Sequence, residues 1–379
     1  MSSETVLANA NIVLPDEVVH GSVLIRDGKI AAVERGSTRA GEDLGGDYLI
    51  PGLVELHTDH LEGHYAPRPK VRWNPLAAVL AHDAQVATAG ITTVFDALRV
   101  GLDEDSEMNA QDMRKLADAI EEGVTNDRLR ADHFIHLRCE VSAPDCLEGF
   151  ALFDNDDRVR MASLMDHAPG QRQFVNLETY AYYYQRRLKL TNQEFEEFCN
   201  RRIAESRKNA PPHRAAISAS CKARGIVLAS HDDATAAHVD EAVAQGIRVA
   251  EFPTTHEAAK ASRQAGLGVL MGAPNVVRGG SHSGNVSARK LAEDGLLDML
   301  SSDYIPFSLI QSAFFLGEVV DVISLPQAVA MVSKKPADAV GLTDRGTIEP
   351  GRRADLVRVR VDEHIPVVRT VWREGRRVA

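Results

Sequence analysis

The sequence predicts an α/β protein: a (β/α)₈ TIM-like barrel together with a small β-sandwich domain built from both termini. Eight short, almost continuously apolar segments alternate with helical patterns in the middle of the chain, as expected for parallel strands that are buried on both faces. The two ends of the chain carry period-two alternation and turn signals instead, as at Asp27 and Gly28. These observations assign residues 1–50 and 341–379 to the β-sandwich and residues 51–340 to the barrel.

Each barrel strand is placed by its apolar run and by the helix signals that follow it. Asn74 and Pro75, for example, mark the start of a helix that ends before Gly90. No Gly-x-Gly-x-x-Gly pattern follows the first strands, so the sequence does not support a dinucleotide-binding open sheet. The predicted strands cover residues 49–57, 90–98, 133–141, 159–167, 225–233, 247–254, 267–275 and 297–304.

A long insertion separates the fourth and fifth predicted strands. Residues 176–215 are predicted to be helical and contain four of the seven tyrosines of the chain. Two interpretations are open: a lid or substrate wall over the barrel mouth, and an outer helix with an aromatic packing face. The tyrosines are Tyr180, Tyr182, Tyr183 and Tyr184.

The composition excludes several classes of protein. With 54 acidic and 43 basic residues, the chain has a formal net charge of −11, whereas a protein that binds nucleic acid non-specifically is normally basic. No apolar stretch is as long as a membrane-spanning helix, which needs about 18 residues, and the first residues lack a signal-peptide pattern. We therefore expect a cytoplasmic protein that binds neither nucleic acid nor a membrane and whose four cysteines are reduced and mostly buried.

Ionisable side chains occur where several of the predicted barrel strands end. Active sites of such barrels lie at the C-terminal ends of the strands, so these side chains are expected to converge. Imidazole and carboxylate groups together bind divalent metals, and two residues spaced by one position on a strand can face the same side. The candidate metal ligands are His57, Asp59, Glu140, His167, His231 and Asp303.

The metal predicted at this site is divalent, with one or two ions per chain. Zn²⁺ is the first expectation, and Mn²⁺ and Ni²⁺ are the alternatives. A bridging carboxylate such as Glu140 would allow two ions about 3.5–4 Å apart. Asp303, the last acid in the set, is predicted to orient the attacking water and to accept its proton.

Basic and polar residues near the same barrel mouth predict an anion site. The segment after the seventh strand is rich in glycine, whose backbone N–H groups can approach phosphate oxygens, and barrels often bind phosphate at this position. Further basic residues follow the first and fourth strands, and in an acidic chain such a local cluster focuses anions. The candidate phosphate ligands are Arg278, Ser281, His282, Arg68, Lys70 and Arg172.

Longer blocks of the sequence resemble a known family. PGLVELHTD is similar to the first-strand signature of the amidohydrolase superfamily, with Asp59 where the usual pattern has histidine, and GTIEPGRRADLV is similar to its C-terminal signature. The blocks HTDHLEGHYAPRPKVRW, SLMDHAPGQRQF, ASHDDAT and LMGAPNVVRGGSHSGN resemble the PhnM family of α-D-ribose 1-methylphosphonate 5-triphosphate diphosphatases. The resemblance covers essentially the whole chain and implies an amidohydrolase-type barrel.

The resemblance also implies an activity. Enzymes of the family hydrolyse a ribose 5-triphosphate to the 5-phosphate and pyrophosphate in phosphonate catabolism, the carbon–phosphorus lyase pathway. The resemblance implies a divalent metal whose ligands are His57, Asp59, Glu140, His167 and His231, with Asp303 as a further ligand or as the proton-transfer acid. A hydrolase acting on the C–N bond of a cyclic amide or imine is the first alternative, and a non-catalytic barrel scaffold is the second. The glycine- and arginine-containing loop favours the diphosphatase, because a neutral amide needs no anion cradle. The sequence is compatible with a homodimer but does not specify the oligomeric state.

Overall fold

Strands from the two ends of the chain form one separate sheet in the computed structural model, which describes residues 4–101, 108–172, 180–281 and 284–379. These strands are β1 (Glu4–Val13), β2 (Val18–Arg26), β3 (Lys29–Arg35), β4 (Glu42–Asp43), β5 (Tyr48–Pro51), β14 (Leu356–Asp362), β15 (Ile365–Arg373) and β16 (Arg376–Arg377). Their order is β16-β15-β14-β5-β1-β2-β3, with β4 paired to β1, so the antiparallel β14–β5 pair joins the two termini. The sheet has a hydrophobic core of its own that includes Leu7, Val23 and Trp372.

Eight parallel strands between these ends form the barrel. They are β6 (Leu53–Thr58), β7 (Ile91–Val100), β8 (Asp132–Glu140), β9 (Val159–Met165), β10 (Val227–His231), β11 (Val249–Glu251), β12 (Gly268–Gly272) and β13 (Met299–Ser301). Each strand is hydrogen-bonded to the next in chain order. All eight predicted barrel strands are therefore present.

The first predicted strand, residues 49–57, is divided between the two sheets. Strand β5 belongs to the terminal sheet and β6 to the barrel. Between them, a Cβ atom at Gly52 would collide with the side chain of Thr92, so only glycine permits this close approach.

Backbone groups that follow the eighth barrel strand close the barrel against the first. Asp303 N donates a hydrogen bond to His57 O at 3.2 Å, and Thr58 Oγ1 donates to Asp303 O at 2.9 Å. The fully buried Glu55 carboxylate accepts hydrogen bonds from Ser302 N and from His57 N. Closure therefore holds His57 and Asp303, two of the predicted site residues, on adjacent backbone segments.

Helices follow the barrel strands and pack against them. Asn74 caps the second helix as predicted, because its side chain accepts a hydrogen bond from Ala77 N at 2.9 Å. No helix within the described ranges is long and apolar enough to cross a membrane. The helices are α1 (His60–Tyr65), α2 (Pro75–Thr88), α3 (Ala110–Thr125), α4 (Cys146–Ala151), α5 (Arg186–Leu188), α6 (Asn192–Arg224), α7 (Ala236–Ala244), α8 (His256–Gln264), α9 (Ala273–Arg278), α10 (Ala288–Glu293), α11 (Ser308–Val319), α12 (Leu325–Ala330) and α13 (Lys334–Ala339).

The insertion after the fourth barrel strand is helical where the structure describes it. A π-helical turn over Ala181–Gln185 leads into α5 and the 33-residue α6. Tyr180 and Tyr184 are buried against Phe198, and the two tyrosine rings lie 4.4 Å apart between centroids. For these two tyrosines the packing favours the outer-helix interpretation. Residues 173–179 and the side chains of Tyr182 and Tyr183 lie outside the described part of the chain.

Candidate active site

A cavity of about 450 Å³ is lined by residues from the C-terminal ends of the barrel strands. Four of the six candidate metal ligands line it, namely His57, His167, His231 and Asp303. Two of the candidate phosphate ligands, Arg278 and Ser281, line the same cavity. The fold thus brings parts of the two predicted groups together, from loops that are far apart in the sequence. Other lining residues include Arg138, Asp232, Phe252, Asn275 and Tyr304.

A buried carboxylate at the end of β11 orients two of the histidines. Glu251 Oε1 lies 3.2 Å from His57 Nδ1, and Glu251 Oε2 lies 3.2 Å from His231 Nδ1. Burial alone would raise the pKa of Glu251, but the neighbouring His57 and His136 hold it well below its ordinary value. The ionised carboxylate therefore accepts a hydrogen bond from Nδ1 of each ring and leaves Nε2 as the ring nitrogen with a free lone pair.

Glu140 at the end of β8 orients the third histidine in the same way. Its Oε2 lies 2.6 Å from His167 Nδ1, and its Oε1 accepts a hydrogen bond from His167 N at 3.1 Å. Burial alone would raise the pKa of Glu140, but His167 and the Ser142 hydroxyl lower it to about 2. Glu140 itself does not line the cavity, so the structure places this candidate ligand behind His167.

Asp303 lies at the end of the eighth barrel strand, near two further charged residues. Burial, together with the charge of nearby Asp59, raises the pKa of Asp303 from 3.8 to about 7, although Arg138 acts in the opposite direction. Asp59 is paired with Arg138, whose Nη1 lies 3.1 Å from Asp59 Oδ2, and it does not line the cavity. A carboxyl group that titrates near neutral pH can both accept and release a proton under physiological conditions.

Three residues around the cavity adopt the left-handed backbone region. Asp232, Phe252 and Asp303 have φ values of 57°, 53° and 55°. Aspartate tolerates this region, but a bulky residue such as phenylalanine rarely adopts it. Such backbone conformations concentrate at functional sites, where the surrounding structure maintains them.

The predicted phosphate-binding segment is a short helix followed by a glycine-containing turn. Helix α9 ends at Arg278, and Gly279 follows with φ of 85°, in the region that favours glycine. The exposed Arg278 side chain has no hydrogen-bond or ion-pair partner within the described ranges, and it lines the cavity. Ser281 lines the cavity as well, whereas His282 lies outside the described residues.

The remaining candidate phosphate ligands do not line the cavity. Arg172 is buried, with Nη1 bonded to Asp233 and Nη2 2.7 Å from Glu241 Oε2. These ion pairs engage both terminal nitrogens of its guanidinium with protein carboxylates, away from the cavity. Arg68 and Lys70 are exposed in the segment after α1.

The donor set fits a divalent metal. His57, His167 and His231 each use Nδ1 for a carboxylate, which is the usual support for a histidine that binds metal through Nε2. Ligand atoms of His167, His231 and Asp232 lie within 4.8 Å of one another. A second set with this spacing, His57, His136 and Glu251, is buried, and only His57 of the three lines the cavity. We interpret that second set as the support of His57, because Glu251 is hydrogen-bonded to His57 Nδ1. Both ring nitrogens of His136 are already engaged, by Leu56 O and by the Ser163 hydroxyl.

Two charged residues that line the cavity, Asp232 and Arg138, are not among the candidates predicted from the sequence. Asp232 directly follows His231 in the segment SHDD, so its position beside a strand-end histidine is a local signal. Arg138 lies two residues before Glu140 on β8 and becomes notable only through its pairing with Asp59, 79 positions away.

A parallel barrel with histidines and carboxylates at its strand ends and a separate sheet of terminal strands defines an enzyme of the amidohydrolase superfamily. A family model described as "Amidohydrolase family" matches residues 155–379. Over 377 residues, the chain is 47% identical to the alpha-D-ribose 1-methylphosphonate 5-triphosphate diphosphatase of Escherichia coli (strain K12), covering 98% of this chain and 100% of that protein. The chain belongs to this diphosphatase family.

Solved structures support the same fold. N-acetyl-D-glucosamine-6-phosphate deacetylase of Mycobacterium smegmatis superposes with a TM-score of 0.64 at 19% identity, over 99% of this chain and 100% of that chain. An enamidase superposes with a TM-score of 0.64 at 18% identity, over 99% of this chain and 96% of that chain. At these identities the likeness establishes the fold of the barrel and the terminal sheet, not the substrate.

Proposed function

We propose that the protein hydrolyses α-D-ribose 1-methylphosphonate 5-triphosphate to the 5-phosphate and pyrophosphate. The observation that supports this most is a single cavity that holds both the histidine and aspartate cluster and Arg278, a cation without a protein partner within the described ranges. A site for a neutral amide has no need of such a cation, whereas a triphosphate chain carries several negative charges for it to contact. The 47% identical relative bears the name of this activity.

The hydrolysis joins a water oxygen to one phosphorus and breaks the anhydride bond between the α- and β-phosphates. The ribose keeps one phosphate, pyrophosphate leaves, and one proton is released. Asp303 is suited to accept that proton, because its carboxyl group lines the cavity at the end of the eighth barrel strand, in the same cavity as the three histidines. Arg278 would contact the phosphate chain, where it stabilises the charge that develops on the departing pyrophosphate.

His57, His167 and His231, with Asp303 and Asp232, are the residues that would hold a divalent metal. When bound, such a metal supplies Lewis-acid activation of water and of a phosphoryl oxygen. Glu251 and Glu140 fix the ring orientation and the tautomer of the three histidines. Zn²⁺ is the metal we expect from this nitrogen and oxygen donor set, with Mn²⁺ and Ni²⁺ as alternatives.

The test is a substrate panel assayed with the purified, metal-loaded chain. We expect pyrophosphate release from the ribose 5-triphosphate and no ammonia or ring-opened product from dihydropyrimidines, hydantoins or cyclic imines. Hydrolysis of the cyclic amides with no pyrophosphate release would replace this function by C–N hydrolysis. A chain that binds no metal and hydrolyses neither class would favour the non-catalytic scaffold.

A further inference from the structure

We propose that His60, His64 and His82 form a second metal site, for a late first-row divalent cation such as Zn²⁺, outside the cavity of the candidate active site. One ring nitrogen of each histidine lies within 4.8 Å of those of the other two. None of the three residues lines that cavity. We call this group the three-histidine cluster.

The cluster joins two helices that follow the first barrel strand. His60 and His64 lie four positions apart on α1, so their side chains occupy the same face of the helix. Their ring centroids are 5.0 Å apart, and each ring centroid lies 6.0 Å from that of His82 on α2. Two histidines at this spacing on one helix are a recurrent way to present two nitrogens to a single metal ion.

His82 supplies the observation that points to a ligand. The residue is fully buried, and its Nδ1 has no hydrogen-bond partner within the described residues. Its Nε2 lies 2.8 Å from Asp96 Oδ1, so Nε2 donates a hydrogen bond to this carboxylate and Nδ1 carries the lone pair. A carboxylate behind a histidine is the arrangement that supports metal ligands.

The other two rings repeat this pattern in part. His60 Nδ1 is also buried without a hydrogen-bond partner in the described part of the chain. His64 Nε2 lies 3.1 Å from Gln85 Oε1, which leaves Nδ1 as its available nitrogen. Leaving buried polar atoms unpaired costs free energy, and a bound ion would satisfy them. His60 and His64 are only partly buried, so an ion can reach the cluster from solvent.

The donors select the class of cation. Three neutral imidazole nitrogens suit Zn²⁺ and its first-row neighbours, whereas Mg²⁺ and Ca²⁺ prefer oxygen ligands. Tetrahedral Zn–N bonds of about 2.0–2.1 Å bring the nitrogens to about 3.3 Å from one another, so small side-chain movements would complete the site. An ion bound there would tie α1, which directly follows Asp59, to α2.

The experiment counts Zn²⁺ equivalents bound by the full chain in competition with a chromophoric chelator. The background variant is His57→Ala/His231→Ala, which disables the centre at the barrel strand ends. We expect it to retain one tightly bound Zn²⁺ and to gain melting temperature on Zn²⁺ addition. Adding His60→Ala/His64→Ala should weaken that binding at least a hundredfold and abolish the Zn²⁺-induced rise in melting temperature. The matched control adds His20→Ala/His256→Ala, two exposed histidines, and should change neither quantity.

Two results would overturn the proposal. The first is a folded background variant that binds no Zn²⁺, and the second is an affinity for Zn²⁺ in the background variant that stays the same when His60 and His64 are replaced. If the background variant does not fold, the comparison is made in the natural chain, where His60→Ala/His64→Ala should lower the Zn²⁺ stoichiometry by one. Co²⁺ in place of Zn²⁺ gives an independent readout. The His60→Ala/His64→Ala variant loaded with Co²⁺ should lack one set of the visible absorption bands that the Co²⁺-loaded natural chain shows. Neither readout measures catalysis, so the outcome is independent of the substrate panel.

Discussion

Glu251 Oε1 lies 3.2 Å from Nδ1 of His57 across the interior of the barrel, and its second oxygen lies 3.2 Å from Nδ1 of His231. One fully buried carboxylate thus sets the tautomer of two candidate metal ligands on different strands. The arrangement links the packing of the barrel interior to the chemistry at its mouth, because neither ring can rotate without losing a hydrogen bond to a buried charge.

Replacing Glu251 by Gln tests this link. The amide can accept a hydrogen bond through only one of its two terminal atoms, so one of the two rings loses its partner. We expect the affinity for Zn²⁺ at the barrel centre to fall by about 10- to 100-fold. Chelator competition in the His60→Ala/His64→Ala background isolates this centre from the three-histidine cluster. Glu257→Gln, an exposed carboxylate on α8, is the control. Unchanged Zn²⁺ affinity with a lower melting temperature would make Glu251 a packing residue alone.

Replacing Asp303 by Asn tests its role as the proton acceptor. The amide keeps the size of the side chain but cannot take up a proton, so we expect the rate of pyrophosphate release to fall by about 10²–10⁴-fold. Metal content, measured by mass spectrometry, should fall modestly at most, because three histidines stay in place. The control is Asp298→Asn, an aspartate just before β13 whose carboxylate is paired with Arg263. Near-full activity of Asp303→Asn would remove this residue from the proton-transfer step.

The barrel was predictable because each strand is a short apolar run followed by a helix signal. What the sequence does not reveal is where one sheet ends and another begins. Residues 49–57 form one almost continuous apolar run that predicts a single strand, and the division at Gly52 depends on the close approach of Thr92, 40 positions away. Local pattern contains no information about that contact.

Some residues of the candidate site could be predicted from the sequence, whereas others are set by contacts between distant parts of the chain. Strand ends follow from the strands, so His57, His167, His231 and Asp303 could be placed at the barrel mouth from sequence and do line one cavity. Arg172 is predicted to bind phosphate because it lies close to His167 in the sequence. In the structure its guanidinium is instead paired with Asp233 and Glu241, which are 61 and 69 positions away. Likewise, the proximity of His82 to His60 and His64 depends on how α2 packs against α1. Partners this distant in sequence are fixed only by the tertiary fold.

The buried pair of His133 and Asp96 predicts how stability changes with pH. Burial alone would lower the pKa of His133, but Asp96 at 2.7 Å and Asp83 at 3.3 Å raise it from 6.5 to about 10. The folded chain therefore keeps this proton to higher pH than the unfolded chain does. Its stabilising contribution is complete below pH 6.5 and is lost as the pH rises from 6.5 to 10, at about 1.4 kcal/mol per pH unit at most.

The measurement compares melting temperatures of the natural chain and His133→Gln, both free of metal, from about pH 6 to about pH 9.5. We expect the advantage of the natural chain to shrink steadily over this range. Asp96 does not interfere, because its pKa is lowered to about 2 and its own contribution changes only on acidification below pH 3.8. A constant difference in melting temperature, or a His133 ring that titrates near its ordinary pKa of 6.5 by nuclear magnetic resonance, would contradict the prediction.

Replacing Arg278 tests whether this residue binds the phosphate chain or only stabilises the turn at Gly279. If its guanidinium contacts the phosphate chain, Arg278→Ala removes a charge-assisted contact worth about 1.5–3 kcal/mol, which corresponds to a loss of about 10- to 100-fold in kcat/KM for the ribose 5-triphosphate. Metal content should not change, because Arg278 is not a candidate metal ligand. Arg278→Lys should recover only part of the loss, since a point charge does not reproduce a two-pronged contact.

Two further arginines calibrate this result. Arg360→Ala, at an exposed position of β14 in the terminal sheet, should leave both kcat/KM and melting temperature unchanged. Arg172→Ala should give the opposite pattern to Arg278→Ala. Because the substitution leaves the buried Asp233 without its cation, we expect a lower melting temperature and a smaller change in kcat/KM per folded molecule. The deciding quantities are therefore kcat/KM and melting temperature measured on all the variants. If Arg278→Ala behaves like Arg172→Ala, Arg278 only holds the turn at Gly279 and the phosphate chain must be bound by other residues of the cavity.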